Sequence, residues 1–256
     1  MPDMLAGWPL ITAPAFYALA VPAVLLMGLG KSGFLSGFGA LATPLLALVV
    51  PVPQAAAIML PLLLLMDATG LQQLWRERDP ALLRRLLPPG LVGIGVGTLL
   101  FGVLSAQATA GVVGALTLAF LAQRLLFAPR AGSPPLPGWA AQGLAVASGF
   151  TSFVAHAGSP PLNAYLLPLR LPPMRFAGTS AVFFAAINLA KWGPYAALGL
   201  LDRANLATSL LLAPLAPMGV WLGVFLARRI HATWYYRVAY AGMFFTGCKL
   251  LADGLR

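Results

Sequence analysis

Ten apolar runs, with almost no charge inside them, constrain this chain more than any other feature. They fall at about 16–30, 33–50, 54–75, 86–104, 107–127, 139–157, 159–169, 176–199, 205–226 and 232–251. Only 9% of the 256 residues are charged and 60% are apolar, whereas a soluble domain carries about 25% charged residues. So few charges cannot cover a water-facing surface of this size, which excludes a soluble globular fold. At about 20 residues per crossing, the chain has length for eight or so spans with short loops. The runs are rich in Leu and Ala and lack the period-two alternation of barrel strands, so they predict an all-α polytopic membrane protein.

Two pairs of runs, 16–30 with 33–50 and 139–157 with 159–169, are divided by Gly, Ser and Pro. Each predicts a broken or re-entrant helix pair. The one compositional break, Ala128 to Gly138, contains Arg130, Gly132, Ser133 and three prolines, the composition of an irregular linker. It sits near the midpoint and suggests a repeat. Ser32, Gly33, Phe34, Ser36 and Pro44 recur at a constant offset as Ser148, Gly149, Phe150, Ser152 and Pro160, with Thr43 matched by Ser159. Farther on, Pro53 and Ala57 align with Pro173 and Ala177. The expected organisation is a first transmembrane repeat over 1–128, a cytoplasmic linker over 129–138 and a second repeat over 139–256. Each repeat is a broken pair followed by three helices.

Charge orients the halves. The net charge of +10 would suggest nucleic acid in a soluble protein, but here the basic residues lie in short loops between apolar runs. Arg76, Arg78, Arg84 and Arg85 share one loop, Arg124 and Arg130 flank the linker, Arg170 and Arg175 form a third group, and Arg228, Arg229 and Arg237 a fourth. Placing these loops in the cytoplasm satisfies the positive-inside tendency. The first half then starts outside and the second inside, making the repeats inverted copies, as in many secondary transporters. Lys249 and Arg256 at the outer C-terminus run mildly against the charge rule. Between Met1 and Phe16 there is no Lys or Arg, so no secretory n-region is expected.

The candidate chemistry gathers at the breaks. Ser or Thr is a favoured helix N-cap and Pro a favoured first helical residue. Thr43-Pro44 and Ser159-Pro160 are therefore expected to start short helices directly after flexible stretches. Helix N-termini offer unpaired N–H groups and partial positive charge to an anion, and inverted symmetry would bring the two together near the bilayer midplane. Ser32, Ser36, Ser148 and Ser152 are nearby donors. Lys31 and Lys191 lie in apolar surroundings, where an ionisable residue costs about 2.5–3.5 kcal/mol on insertion scales, so each calls for a partner or a function. Lys191 is one turn after Asn188 on the same helical face, and Asp67 stands at nearly the same height in the repeat-equivalent helix. The lysines would attract an anion while Asp67 pairs with one of them or takes up a proton. The plainer alternative is a snorkelling Lys31 and a structural Asp67–Lys191 pair. His156, just before the second N-cap, could bind an oxyanion or relay a proton.

Other patterns carry no chemistry. Gly28-x-Gly30-x-x-Gly33 formally matches a dinucleotide fingerprint, but no strand precedes it. Gly93 with Gly97 and Gly219 with Gly223 are small-residue pairs suited to close helix contact. The sequence offers no zinc-spaced histidines and no Ser-His-Asp set. No enzyme, cofactor, metal or nucleic-acid partner is expected. One cysteine, Cys248, rules out a disulfide framework.

At these motifs the chain resembles the sulfite exporter TauE/SafE family of bacterial membrane proteins. The stretch from Gly33 to Ala40 followed by Thr43-Pro44-Leu45-Leu46 is similar to the family's first Gly-rich repeat. The run from Gly149 to Pro168 (GFTSFVAHAGSPPLNAYLLP) is the more distinctive match. It continues into Phe176-Ala177-Gly178-Thr179-Ser180, Asn188, Lys191 and Tyr195. The chain departs from the family where Gly39-Ala40-Leu41 replaces a run of three glycines and Ser159-Pro160-Pro161 replaces Gly-Pro-Pro. The resemblance implies a multi-pass protein of the bacterial inner membrane that moves small anions, including sulfite and organosulfonates, and it adds Thr179 to the candidate site. A second reading is a non-transporting membrane subunit of a redox or metal-assembly complex, for which buried lysines would have no use.

Overall fold

A computed structural model describes residues 10–11, 13–31, 39–126, 136–227 and 232–256. The described residues form helices and contain no strand. The first half contains α1 (Pro14–Lys31), α2 (Gly39–Leu46), α3 (Val52–Leu74), α4 (Pro80–Val103) and α5 (Ala106–Leu126). The second contains α6 (Gly138–Ala155), α7 (Ser159–Leu166), α8 (Pro173–Ala190), α9 (Trp192–Ala197), α10 (Arg203–Leu212), α11 (Leu215–Ala227) and α12 (Ala232–Gly254). Two apolar runs are cut where proline withholds a backbone N–H. Pro194 follows the step from α8 to α9, and Pro214 lies at the bend between α10 and α11, which turns by 46°.

Among the described residues, four helices are each long and apolar enough to cross a membrane: Pro14–Lys31, Val52–Gln72, Pro80–Val103 and Ala106–Gln123. The bent pair α10–α11 makes a fifth. This is fewer than the eight or so that chain length allows, for physical reasons. Helices α2 and α7 have eight residues each, about 12 Å at 1.5 Å per residue, far short of a bilayer core. Helices α6 and α8 have 18 residues each but dilute their apolar length with polar ones. Gln142, Ser148, Thr151 and Ser152 lie on α6, and Arg175, Thr179, Ser180 and Asn188 on α8.

Helix α3 is the spine. Its Val52, Ala56 and Leu60 pack into a core with Leu86, Phe153, Phe183 and Tyr195. Its Ala55, Ile58, Met59, Leu62 and Met66 pack into a second core with Phe16, Val24, Leu46 and Ala216. α3 lies against α8, α5 against α12, α1 against α11 and α4 against α6. Small residues permit the last two contacts. A Cβ on Gly28 would stand 2.6 Å from the carbonyl carbon of Gly219, and one on Gly149 would overlap the carbonyl oxygen of Gly90. Gly28, the first glycine of the apparent dinucleotide pattern, thus serves helix packing. The loop ends are fixed by carboxylates: Asp79 accepts from the N–H groups of Ala81 (2.9 Å) and Leu82 (3.1 Å) at the start of α4, and Asp202 from that of Asn205 (2.7 Å) at the start of α10.

Candidate functional site

The site is organised by the end of α6. This helix continues through Ser148, Thr151 and Ser152 and stops at His156, whose φ of +53° lies in the left-handed region. The stretch before Ser159 is therefore mostly helix, not the flexible segment expected. The helical ladder propagates through Ala-rich sequence until the left-handed turn ends it. Ser148 Oγ donates to Gly158 O at 2.7 Å and ties the break back onto the helix. The last carbonyls of α6 meet side chains from the α8–α9 junction. Lys191 Nζ donates to Ser152 O at 2.6 Å and Tyr195 OH to Phe153 O at 2.6 Å. A cation at a helix C-terminus complements the macrodipole.

Lys191 is fully buried, and its three N–H groups meet three acceptors. Besides Ser152 O, these are Asn188 Oδ1 at 2.9 Å and His156 Nδ1 at 3.0 Å. Because Nδ1 accepts from an ammonium, His156 carries its proton on Nε2 and donates it to Ala56 O at 2.9 Å. Asn188 then donates Nδ2–H to Asp67 Oδ2 at 2.6 Å, and Asp67 Oδ1 pairs with Lys31 Nζ. Lys31 Nζ also stands 5.3 Å from the centre of the Phe184 ring. A continuous polar chain thus runs Lys31–Asp67–Asn188–Lys191–His156 through α1, α3, α8 and the α6–α7 break. Asp67 does not pair with Lys191: the shared amide of Asn188 stands between them, and the carboxylate's direct cation is Lys31.

A cavity of about 100 Å³ opens beside this chain. Of the residues expected at the site, Lys31, Asp67, Ser152, His156, Ser159 and Asn188 line it. Lys191 sits one layer behind the wall. Ser148 is turned to the Gly158 carbonyl, and Thr179 is fully buried and accepts from the Asp79 N–H at 2.9 Å. Ser32 and Ser36 lie outside the described residues. Thr43 is a correction. Helix α2 is already formed at Gly39, so Thr43 lies inside it, buried, with Oγ1 unpartnered. Pro44 costs α2 only one helical bond, and the burial of Ala40, Leu41, Ala42 and Leu46 outweighs that loss. Ser159 does open α7, but at the first helical position after Gly158 and without a side-chain cap. Gly39 of α2 and Ser159 of α7 both line the cavity.

The family model described as Sulfite exporter TauE/SafE matches residues 7–250. The chain belongs to the TauE/SafE family. No curated protein and no solved structure matches it. TauE/SafE membership implies a membrane transporter of anions, sulfite being the one in the family's description, and not an enzyme. It lends no support to a non-transporting subunit. The several apolar helices agree with a multi-pass location in a membrane.

This TauE/SafE chain also places two residues in the cavity that sequence reasoning missed, Asn163 and Ser180. Both fall inside the motif stretches. Their signal was periodicity: Ser180 precedes Asn188 by eight residues and Asn163 follows Ser159 by four, so each shares a helical face with an expected site residue. Apolar side chains, among them Met27, Met66, Phe176 and Phe184, complete the lining.

Proposed function

We propose that the protein is a secondary transporter exporting a small anion, sulfite or an organosulfur or organic oxyanion, across the bacterial inner membrane. The anion binds near the bilayer midplane between the N-termini of α2 and α7. The observation that carries this reading is that Gly39 and Ser159 share one cavity with Lys31, Asp67 and Asn188. The buried network holds two ammonium groups and one carboxylate, with His156 occupied as a neutral donor and acceptor. Its surplus positive charge favours an anion beside it, and Lys191 contributes that charge through Asn188 and His156.

Alternating access about this site rests on two inverted repeats, 1–128 and 139–256, joined by the 129–138 linker with its Arg-rich neighbours facing the cytoplasm. Element order supports the pairing. Among the described residues, α1 and α6 have 18 residues each, and α2 and α7 eight each. Then α3 corresponds to α8, α4 to the bent α10–α11 pair, and α5 to α12. Packing agrees: α1 lies on α11 as its counterpart α6 lies on α4, while α3 meets α8 and α5 meets α12. Asp67 and Asn188, which bond to each other, stand at nearly the same height in α3 and α8, Asn188 falling one residue beyond the position that the Pro53–Pro173 alignment matches to Asp67.

Asp67 is the better proton-coupling group of the two considered, since both ring nitrogens of His156 are engaged. A bound anion and the Asp67 carboxylate compete for Lys31, and protonation of Asp67 releases the lysine to the anion. The test is sulfite flux in proteoliposomes with and without an imposed proton gradient. Gradient-sensitive flux in the wild type, and flux indifferent to the gradient in Asp67→Asn, are expected. A wild type that moves no anion, or an Asp67→Asn variant with unaltered gradient dependence, contradicts the reading.

A further inference from the structure

The polar residues lining the cavity fall into two sets of different character. In one set every group is already spoken for: Lys31 by Asp67, Asn188 at both ends of its amide, and His156 at both ring nitrogens. The other set is Ser152, Ser159, Asn163 and Ser180. Ser180 Oγ is buried without a hydrogen-bond partner, and the side chains of Ser152, Ser159 and Asn163 bond to nothing among the described residues. Polar atoms left unpaired in a protein interior are disfavoured by folding alone and call for an explanation. The helix N-terminus does not meet a ligand's needs by itself, because the two residues after Ser159 are Pro160 and Pro161, which have no N–H to offer.

We propose that the oxygens of the transported anion are held by this uncharged set, with Ser180 the residue that discriminates oxyanions from halides of the same charge. The proposal rests on the transporter reading above and deepens it. Positive charge draws any anion to the cavity. Three hydroxyls and one carboxamide, by contrast, supply short-range donors that only a ligand with several acceptor oxygens can use together. A site built to hydrogen-bond its ligand rejects an analogue lacking those groups far more strongly than a purely electrostatic one does.

The experiment is sulfite binding to the purified full-length protein by isothermal titration calorimetry, with chloride as competitor, and melting of the ligand-free protein by tryptophan fluorescence. Ser180→Ala should bind sulfite at least tenfold more weakly, leave competition by chloride unchanged and melt at or above the wild-type temperature, since it deletes an unpartnered hydroxyl. Asn163→Asp, which puts a carboxylate into the wall, should abolish sulfite binding. Lys249→Gln, at an exposed ion pair with Asp253, should bind as wild type. Sulfite binding within threefold of wild type in both Ser180→Ala and Asn163→Asp overturns the proposal alone. A Ser180→Ala protein that melts several degrees lower also overturns the role given to Ser180, because its hydroxyl would then be structural. A wild type that binds neither sulfite nor methanesulfonate defeats the transporter reading and this proposal with it.

Discussion

Replacing Lys191 with Met keeps the length of the buried stem and removes its charge and three donors. Of the three acceptors, Ser152 O still receives the His156 N–H at 3.0 Å. Two are therefore stranded, Asn188 Oδ1 and His156 Nδ1. At about 1–3 kcal/mol for each unsatisfied buried group, the loss is about 2–6 kcal/mol. Against this, the variant no longer carries an ammonium that costs about 2.5–3.5 kcal/mol in the membrane interior. Stability should therefore fall by about 3.5 kcal/mol at most. The effect on anion affinity is larger relative to its background. With Lys191 one side chain behind the cavity wall, at roughly 6 Å from an anion and an effective dielectric of about 20, the lost attraction is about 3 kcal/mol. That corresponds to roughly hundredfold weaker binding. Sulfite titration of the purified variant, with its melting curve run in parallel, measures both quantities. A folded Lys191→Met protein that binds sulfite within threefold of wild type would refute the use of this charge.

Asp67→Asn leaves the partly buried Lys31 without its carboxylate, at a cost below the roughly 3–5 kcal/mol of breaking a fully buried pair. The variant should melt lower than wild type in detergent while its flux loses gradient dependence. Tyr195→Phe deletes only the donor to Phe153 O, so a loss of about 1 kcal/mol in stability with unaltered sulfite affinity is expected from paired melting and titration. Gly149→Ala places a methyl against the Gly90 carbonyl. With backbone on the other side and nothing flexible to yield, α4 and α6 must separate, and size-exclusion chromatography should show loss of the monodisperse protein.

Much of this arrangement can be read along the chain, and the parts that cannot share a cause. Membrane class follows from charge scarcity. The spacing of Asn188 and Lys191 places them on one face, where they hydrogen-bond at 2.9 Å, and His156 is identified by its place before a proline pair. These are local signals. The identity of Asp67's partner is not local: whether Lys31 or Lys191 reaches it depends on how α1, α3 and α8 cross. The Thr-Pro rule expects α2 to open at Thr43, but it describes intrinsic preference, and burial of Ala40, Leu41 and Ala42 favours helix already at Gly39. Ser180 was passed over in favour of its neighbour Thr179. Adjacent helical residues differ by about 100° in direction, which turns Thr179 onto the Asp79 backbone and Ser180 into the cavity.

The account stands on where the anion sits. Crystals soaked with selenite, a heavier analogue of sulfite, would locate it through the anomalous signal of selenium. The account predicts one peak inside the cavity lined by Gly39, Lys31, Asp67, Ser152, Ser159, Ser180 and Asn188. Selenium bound only at the Arg-rich loops, with the cavity empty at saturating selenite, would contradict it.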